Sequence, residues 1–168
     1  YKNVLLVGSE THSPALDKST RGRTVTVLFG DGAGAAVITR SDDDNRGIIA
    51  TEMHSDGDGA ELLSMLKPGF RTGEFITEKD LEEARQYPNM DGQKVFKSAV
   101  RSMPAVIQSL LEKQGLTVDD IDMLIPHQAN LRINEMVAKL LKIPAEKVHN
   151  NIQKYGNTTA ATIPICMK

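Results

Sequence analysis

The sequence has a single cysteine, Cys166, among 168 residues, so no intramolecular disulfide framework can form, and a reducing, cytoplasmic setting is expected. Neither sign of charge dominates. Twenty basic against 22 acidic residues leave a net charge of −2, which excludes a bulk field for nucleic acid or anionic membrane. No apolar run approaches the roughly 20 residues that span a bilayer, so no membrane insertion is expected. Tyr1 to Val7 lacks the plan of a signal peptide and an initiator Met. There is no repeat at solenoid spacing and no low-complexity tract. What remains is 40% apolar and 25% charged, an ordinary globular mixture. Its length suits one sizeable core or a portion of something larger. Both ends are core-like, Tyr1–Val7 and Thr162–Lys168, and the sequence is therefore read as a fragment of a larger protein.

Hydrophobic patterning gives an alternating order of strands and helices, hence an α/β fold. Residues 3–8 are an unbroken apolar run closed by Gly8, the pattern of a strand buried on both faces. Residues 24–29 and 35–38 read as two strands joined by Gly30–Gly34, and 47–53 as another. From 55 to 92 the chain is rich in Gly, Pro and charge, a surface excursion with a short helix near 78–86. Asp91 is placed to cap a long helix whose apolar face runs from Val95 to Leu111 and which stops at Gly115. Pro104 inside it predicts a kink. Further strands are expected at 121–126 and 148–153. One helix is expected from Asn130 to about Leu141, and a last one from Thr158 to Met167.

Several motifs invite chemistry. Gly30-Asp31-Gly32-Ala33-Gly34 could suggest a dinucleotide loop, but such a loop must open a helix, and here it leads into Ala35-Ala36-Val37-Ile38, which is strand-like. It is read as a tight turn. Asp42–Gly47 lacks calcium-ligand residues at the required positions and is read as a solvated turn; no metal site is expected. Of four histidines, His127 stands apart, directly after an expected strand and before a capped helix, where active sites of α/β folds gather. Position alone fits a structural histidine equally well. Asn157, after Gly156 and before small residues, is by spacing an ordinary helix cap. Together, an imidazole and an amide at two such junctions could hold a developing oxyanion.

Pro126-His127-Gln128-Ala129-Asn130-Leu131-Arg132-Ile133 with Tyr155-Gly156-Asn157-Thr158-Thr159-Ala160-Ala161-Thr162-Ile163-Pro164 resembles the β-ketoacyl-acyl carrier protein synthase III family, initiating condensing enzymes of fatty acid synthesis. Leu5–Glu10, Arg21-Gly22, Phe29–Val37 and Gly92–Lys97 extend the resemblance in family order. It implies a thiolase-like layered α/β fold, here incomplete: residues 1–45 as the end of the N-terminal half, and 46–168 as the C-terminal half truncated at its end. It also implies a decarboxylative Claisen condensation of an acyl-CoA primer with malonyl-acyl carrier protein. His127 and Asn157 match the family's catalytic pair. The family's cysteine nucleophile, in an A-C-A-G-F-like segment, is not in this chain, and Cys166 does not match it, so this fragment alone is expected to be inactive.

The resemblance further implies CoA or pantetheine contacts at Arg21, Gly92, Phe96, Ala129 and Asn130, and carrier-protein docking at Lys97, Arg132 and Lys139. Beyond its substrates it implies no cofactor, and it implies a homodimer. Segment 68–90 reads as longer than the usual family connection. Two alternatives stand beside this reading. One is a related thiolase-like condensing enzyme of secondary metabolism; the other is a non-catalytic domain of the same fold without the nucleophile.

Overall fold

A computed structural model describes all residues, 1–168. Strand β1 (Asn3–Glu10) pairs antiparallel with β2 (Gly32–Thr39), with Gly8 opposite Gly34. A four-residue helix, α1 (Arg23–Thr26), lies between them. The excursion holds a two-residue ladder, β3 (Leu63–Ser64) with β4 (Asn89–Met90), and helix α2 (Glu78–Glu82). Then follow α3 (Gly92–Gln114), α4 (Leu131–Leu141), α5 (Ile152–Tyr155) and α6 (Thr162–Cys166), the last preceded by a 3-10 turn at Thr159–Ala161. No helix is long and apolar enough to cross a membrane.

Local signals fix the helices. Asp91 accepts a hydrogen bond from the Lys94 amide at 3.1 Å, opening α3, and Gly115 closes it at φ +66°. The helix runs unbroken through Pro104, which is buried. Asn130 accepts from the Arg132 amide at 3.0 Å and opens α4. On α4, Ile133, Val137 and Leu141 recur at four-residue spacing. With Ile143 they form the core, against Phe96, Ala99, Val100, Met103 and Ile107 of α3.

The strands differ more from expectation. Residues 24–29 are not a strand: their first half is α1, where Val25 turns inward and the Thr26 hydroxyl donates to Asp17 O at 2.6 Å. Tertiary contacts override β-branched propensity there, and the partner of β2 is β1. Residues 47–53 form no strand, and no other strand pairs with them. Instead, Glu52 ties this segment to α3, accepting from the Ser109 hydroxyl and Lys113 ammonium at 3.0 Å each. The His54 ring at 2.7 Å, together with these partners, holds the Glu52 carboxyl down at about 2. Residues 121–126 and 148–153 are likewise not full strands; they meet in a single parallel bridge, Leu124 with Val148. The expected helix near 78–86 shortens to α2, capped by Thr77 and Asp80. Asp80 lies 3.7 Å from the Lys67 ammonium, which is 2% exposed and also donates to the Gly69 carbonyl at 3.3 Å.

β1 is not buried on both faces. Leu5 is 66% exposed, and its neighbours Val4, Leu6 and Val7 are exposed too. The chain's accessible surface is 12183 Å². A compact protein of this mass exposes about 8,200 Å², so the strand's apolar pattern encodes a second layer that this chain does not supply. The covered face is seated by glycine. A Cβ on Gly8 would run into the Ala160 carbonyl, and one on Gly34 would lie 2.7 Å from Pro164 Cβ. Gly8→Ala must therefore displace the turn that carries Asn157 to Thr162. It is expected to cost about 1–3 kcal/mol, read as a lowered midpoint in thermal unfolding. An unchanged midpoint would overturn this seating.

Candidate active site

His127 follows the Leu124 bridge, and Asn157 follows Gly156, whose φ of +69° permits the sharp entry. Asn157 is locked by its own backbone. Its amide donates to Leu28 O at 2.7 Å, and its carbonyl accepts from the Gly30 amide at 3.0 Å. A Cβ on Gly30 would strike the Tyr155 carbonyl, so this glycine serves close approach rather than phosphate binding. The segment after it is β2, not a helix. The Asn157 side chain, 7% exposed, accepts from the Thr159 amide through Oδ1 at 2.9 Å. With Oδ1 occupied, the Nδ2 hydrogens remain to donate elsewhere.

His127 Nδ1 lies 2.6 Å from Thr162 Oγ1, and burial pushes the imidazole pKa below its ordinary value. Gln128, fully buried, splices the two junctions. Its Nε2 donates to Pro126 O at 2.9 Å and His149 O at 3.3 Å, and its Oε1 accepts from the amides of Asn151 and Ile152 at 3.0 and 3.2 Å. The loop bearing His127 is thus fixed to the segment leading to Asn157.

Both side chains line one cavity of about 780 Å³, and so do Gly92, Phe96, Ala129 and Asn130. Leu28, Phe29, Val95 and Met103 make its wall largely apolar, and Lys97 and Arg132 also border it. Arg21 is not on this cavity. It borders an adjoining pocket of about 290 Å³ that shares Thr24 and Met90 with the first. There its guanidinium binds Asp17 at 2.7 Å and lies 5.9 Å from the Tyr87 ring centre. Lys139 stands apart from both pockets, exposed on α4. Neighbouring cations Lys94 and Lys113 are paired with Asp91 and Glu52, whereas Lys97, Arg132 and Lys139 have no carboxylate partner in the chain. Cys166 is 5% exposed on α6, off the cavity, and burial pushes its thiol up, opposite to what a nucleophile needs.

Three residues of this arrangement escape sequence reasoning. Gln128 and Thr162 act through side-chain bonds to partners up to 35 positions away, which no spacing rule reveals. Thr159, on the cavity wall, takes φ +40° with a buried, unpartnered hydroxyl. Only a left-handed position two residues after an Asn cap could have hinted at it.

Comparison with known proteins places this geometry. The fold is thiolase-like: the crystal structures of 3-oxoacyl-[acyl-carrier-protein] synthase III from Aquifex aeolicus and from Pseudomonas aeruginosa superpose with TM-scores of 0.81 and 0.83, at 45% and 37% identity. Each match covers 99% of this chain and 47% or 48% of the other. A family model described as 3-oxoacyl-[acyl-carrier-protein (ACP)] synthase III matches residues 1–57, and its C-terminal counterpart matches residues 111–168. The β-ketoacyl-[acyl-carrier-protein] synthases III of Aquifex aeolicus and Clostridium perfringens are 46% and 44% identical over 99% of this chain. The chain belongs to the β-ketoacyl-acyl carrier protein synthase III family. It spans about half the length of the curated relatives it matches, 47% and 49% for these two.

Proposed function

We propose that this chain is the donor-bearing part of a condensing enzyme that joins an acyl-CoA primer to malonyl-acyl carrier protein, giving a β-ketoacyl-acyl carrier protein, CO₂ and free CoA. One observation carries the reading: the His127 imidazole and the Asn157 amide, both fixed from behind, border a single apolar-walled cavity. Residues 1–45 then complete the N-terminal thiolase-like half, and 46–168 form most of the C-terminal one. The thioester-forming cysteine lies outside this chain, and no cofactor takes part.

The chemistry follows from where charge develops. Loss of CO₂ from the malonyl group leaves an enolate whose negative charge sits on the thioester oxygen. Two neutral N–H donors in a water-poor cavity stabilise that oxygen most when it is fully charged. The enolate carbon then attacks the acyl thioester, forming the carbon–carbon bond as the cysteine thiolate leaves. A protonated imidazole would also stabilise the carboxylate that must depart, so a neutral ring is required.

Burial favours that neutral ring. Because burial holds the His127 imidazole below its ordinary range, the decarboxylation rate is expected to persist on the acid side of that range and to fall only as pH drops through the lowered value. An acid limb above the ordinary imidazole range in the pH–rate profile would contradict this.

The pantetheine arm passes Phe96, Ala129 and Asn130 and the Gly92 end of α3, while Arg21 meets the nucleotide end, where a guanidinium can stack and bind phosphate. Lys97, Arg132 and Lys139, free of internal partners, dock the acidic carrier protein. The enzyme works as a cytoplasmic homodimer. The test is an assay of the intact protein with acyl-CoA and malonyl-acyl carrier protein, following CO₂ and the β-ketoacyl product. Release of both at matching rates supports the reading; binding of CoA thioesters without CO₂ release would favour a non-catalytic domain instead.

A further inference from the structure

Thr162 lies 35 residues from His127 in sequence, yet its hydroxyl oxygen sits 2.6 Å from His127 Nδ1. The same oxygen is 2.8 Å from the Thr159 carbonyl, and Thr162 is 2% exposed, so the hydroxyl has two acceptors within reach and little access to water. It has one proton to give. If that proton goes to the carbonyl, Nδ1 must carry the ring hydrogen, and a bare Nε2 remains as the ring's other nitrogen. If it goes to Nδ1, the ring hydrogen is on Nε2.

The two acceptors are not equal. The Thr159 carbonyl already accepts the backbone N–H of Thr162 in the turn that enters α6. Nδ1 of a neutral imidazole is a more basic acceptor and has no other partner in the chain. An imidazole side chain in water also prefers the Nε2–H form, so the hydroxyl works with that preference rather than against it.

We infer that the Thr162 hydroxyl donates to His127 Nδ1 and holds the ring as its Nε2–H tautomer, which makes Thr162 a positioning residue for the donor pair. The tautomer stands on the geometry; its catalytic consequence rests on the function proposed above, since only an Nε2–H ring can donate from its remaining nitrogen without becoming a cation. Mutations of such supporting partners cost about 10–100-fold where they orient a ligating or reacting histidine.

The experiment uses the intact protein with ¹⁵N-labelled histidine, and long-range ¹H–¹⁵N spectra read each ring nitrogen. Wild type and Thr162→Ser are expected to show His127 protonated on Nε2 and bare on Nδ1. Thr162→Val, close in shape but without the hydroxyl, leaves only the ring's own Nε2–H preference, so a minor Nδ1–H population absent from wild type is expected to appear. The ring is no longer held in place in this variant, and kcat for malonyl decarboxylation is expected to fall about 10-fold or more. Its KM is expected to stay near wild type, and Ser to restore the rate. A wild-type ring bare on Nε2, or a Val variant with both the wild-type ring spectrum and the wild-type kcat, would overturn the inference. If the Val variant does not fold, the wild-type spectrum alone decides. Should the spectra agree while His127→Ala leaves decarboxylation untouched, the proposed function fails and the tautomer assignment survives.

Discussion

In the intact protein, His127→Ala is expected to slow malonyl decarboxylation by about 10²–10³-fold, the usual cost of removing one donor from a pre-organised oxyanion site. The reason is geometric before it is chemical. The ring has a hydroxyl 2.6 Å from Nδ1, and the loop that bears it is anchored by Gln128, whose amide is bonded at both ends. Little of its orientation is then left to be fixed during reaction. The variant opens the cavity to water at that point and removes the ring donor, while the Thr162 hydroxyl falls back on the Thr159 carbonyl 2.8 Å away. Transfer of the acyl group from CoA to the cysteine does not build charge on the malonyl oxygen, and that step should keep most of its rate. Rapid-quench measurement of acyl-enzyme formation beside ¹⁴CO₂ release separates the two. Equal losses in both steps would mean that His127 supports the cavity rather than the enolate.

This division of labour also explains what could be read from the chain itself. The helices and their caps were legible because their causes are local: Asp91 and Gly115 bound α3, Asn130 opens α4, and four-residue apolar spacing marks the face that packs. Sheet pairing was not, because it depends on what lies alongside. Residues 24–29 carry a strand's composition, yet a hydroxyl bond to Asp17 and the inward turn of Val25 make part of them helical. Residues 47–53 and 121–126 have strand-like side chains with no neighbour, or only one bridge, to complete a ladder.

The candidate site divides the same way. His127 and Asn157 stood out by their positions at chain junctions, and the family resemblance joined them. The cavity draws together four of the five residues expected to meet CoA or pantetheine, and leaves Arg21 on the adjoining pocket. The hydrogen bonds at Thr162 and Gln128 that support the donors are invisible in sequence, since they span 35 and 23 positions. They are the part of the machinery that only packing reveals.

Asn157→Asp separates the amide's two roles more sharply than alanine can. The introduced carboxyl keeps an oxygen for the Thr159 amide, now 2.9 Å from Oδ1, so the turn and the fold should be retained. In place of Nδ2–H it sets an oxygen at the cavity wall, where the proposed reaction would form its enolate. A carboxylate there repels the charge that an amide would stabilise, and the decarboxylation rate is expected to fall at least as far as in Asn157→Ala, by about 10²–10³-fold or more. The position is 7% exposed, so desolvation raises the pKa of the introduced carboxyl. Protonated, it regains a hydrogen to donate. The ratio of variant to wild-type rate should therefore rise as pH falls, even while both rates decline with protonation of His127. Taking the ratio at each pH removes the histidine's contribution and isolates the amide's. A ratio that is flat with pH and close to one would show that Asn157 does nothing beyond capping the turn.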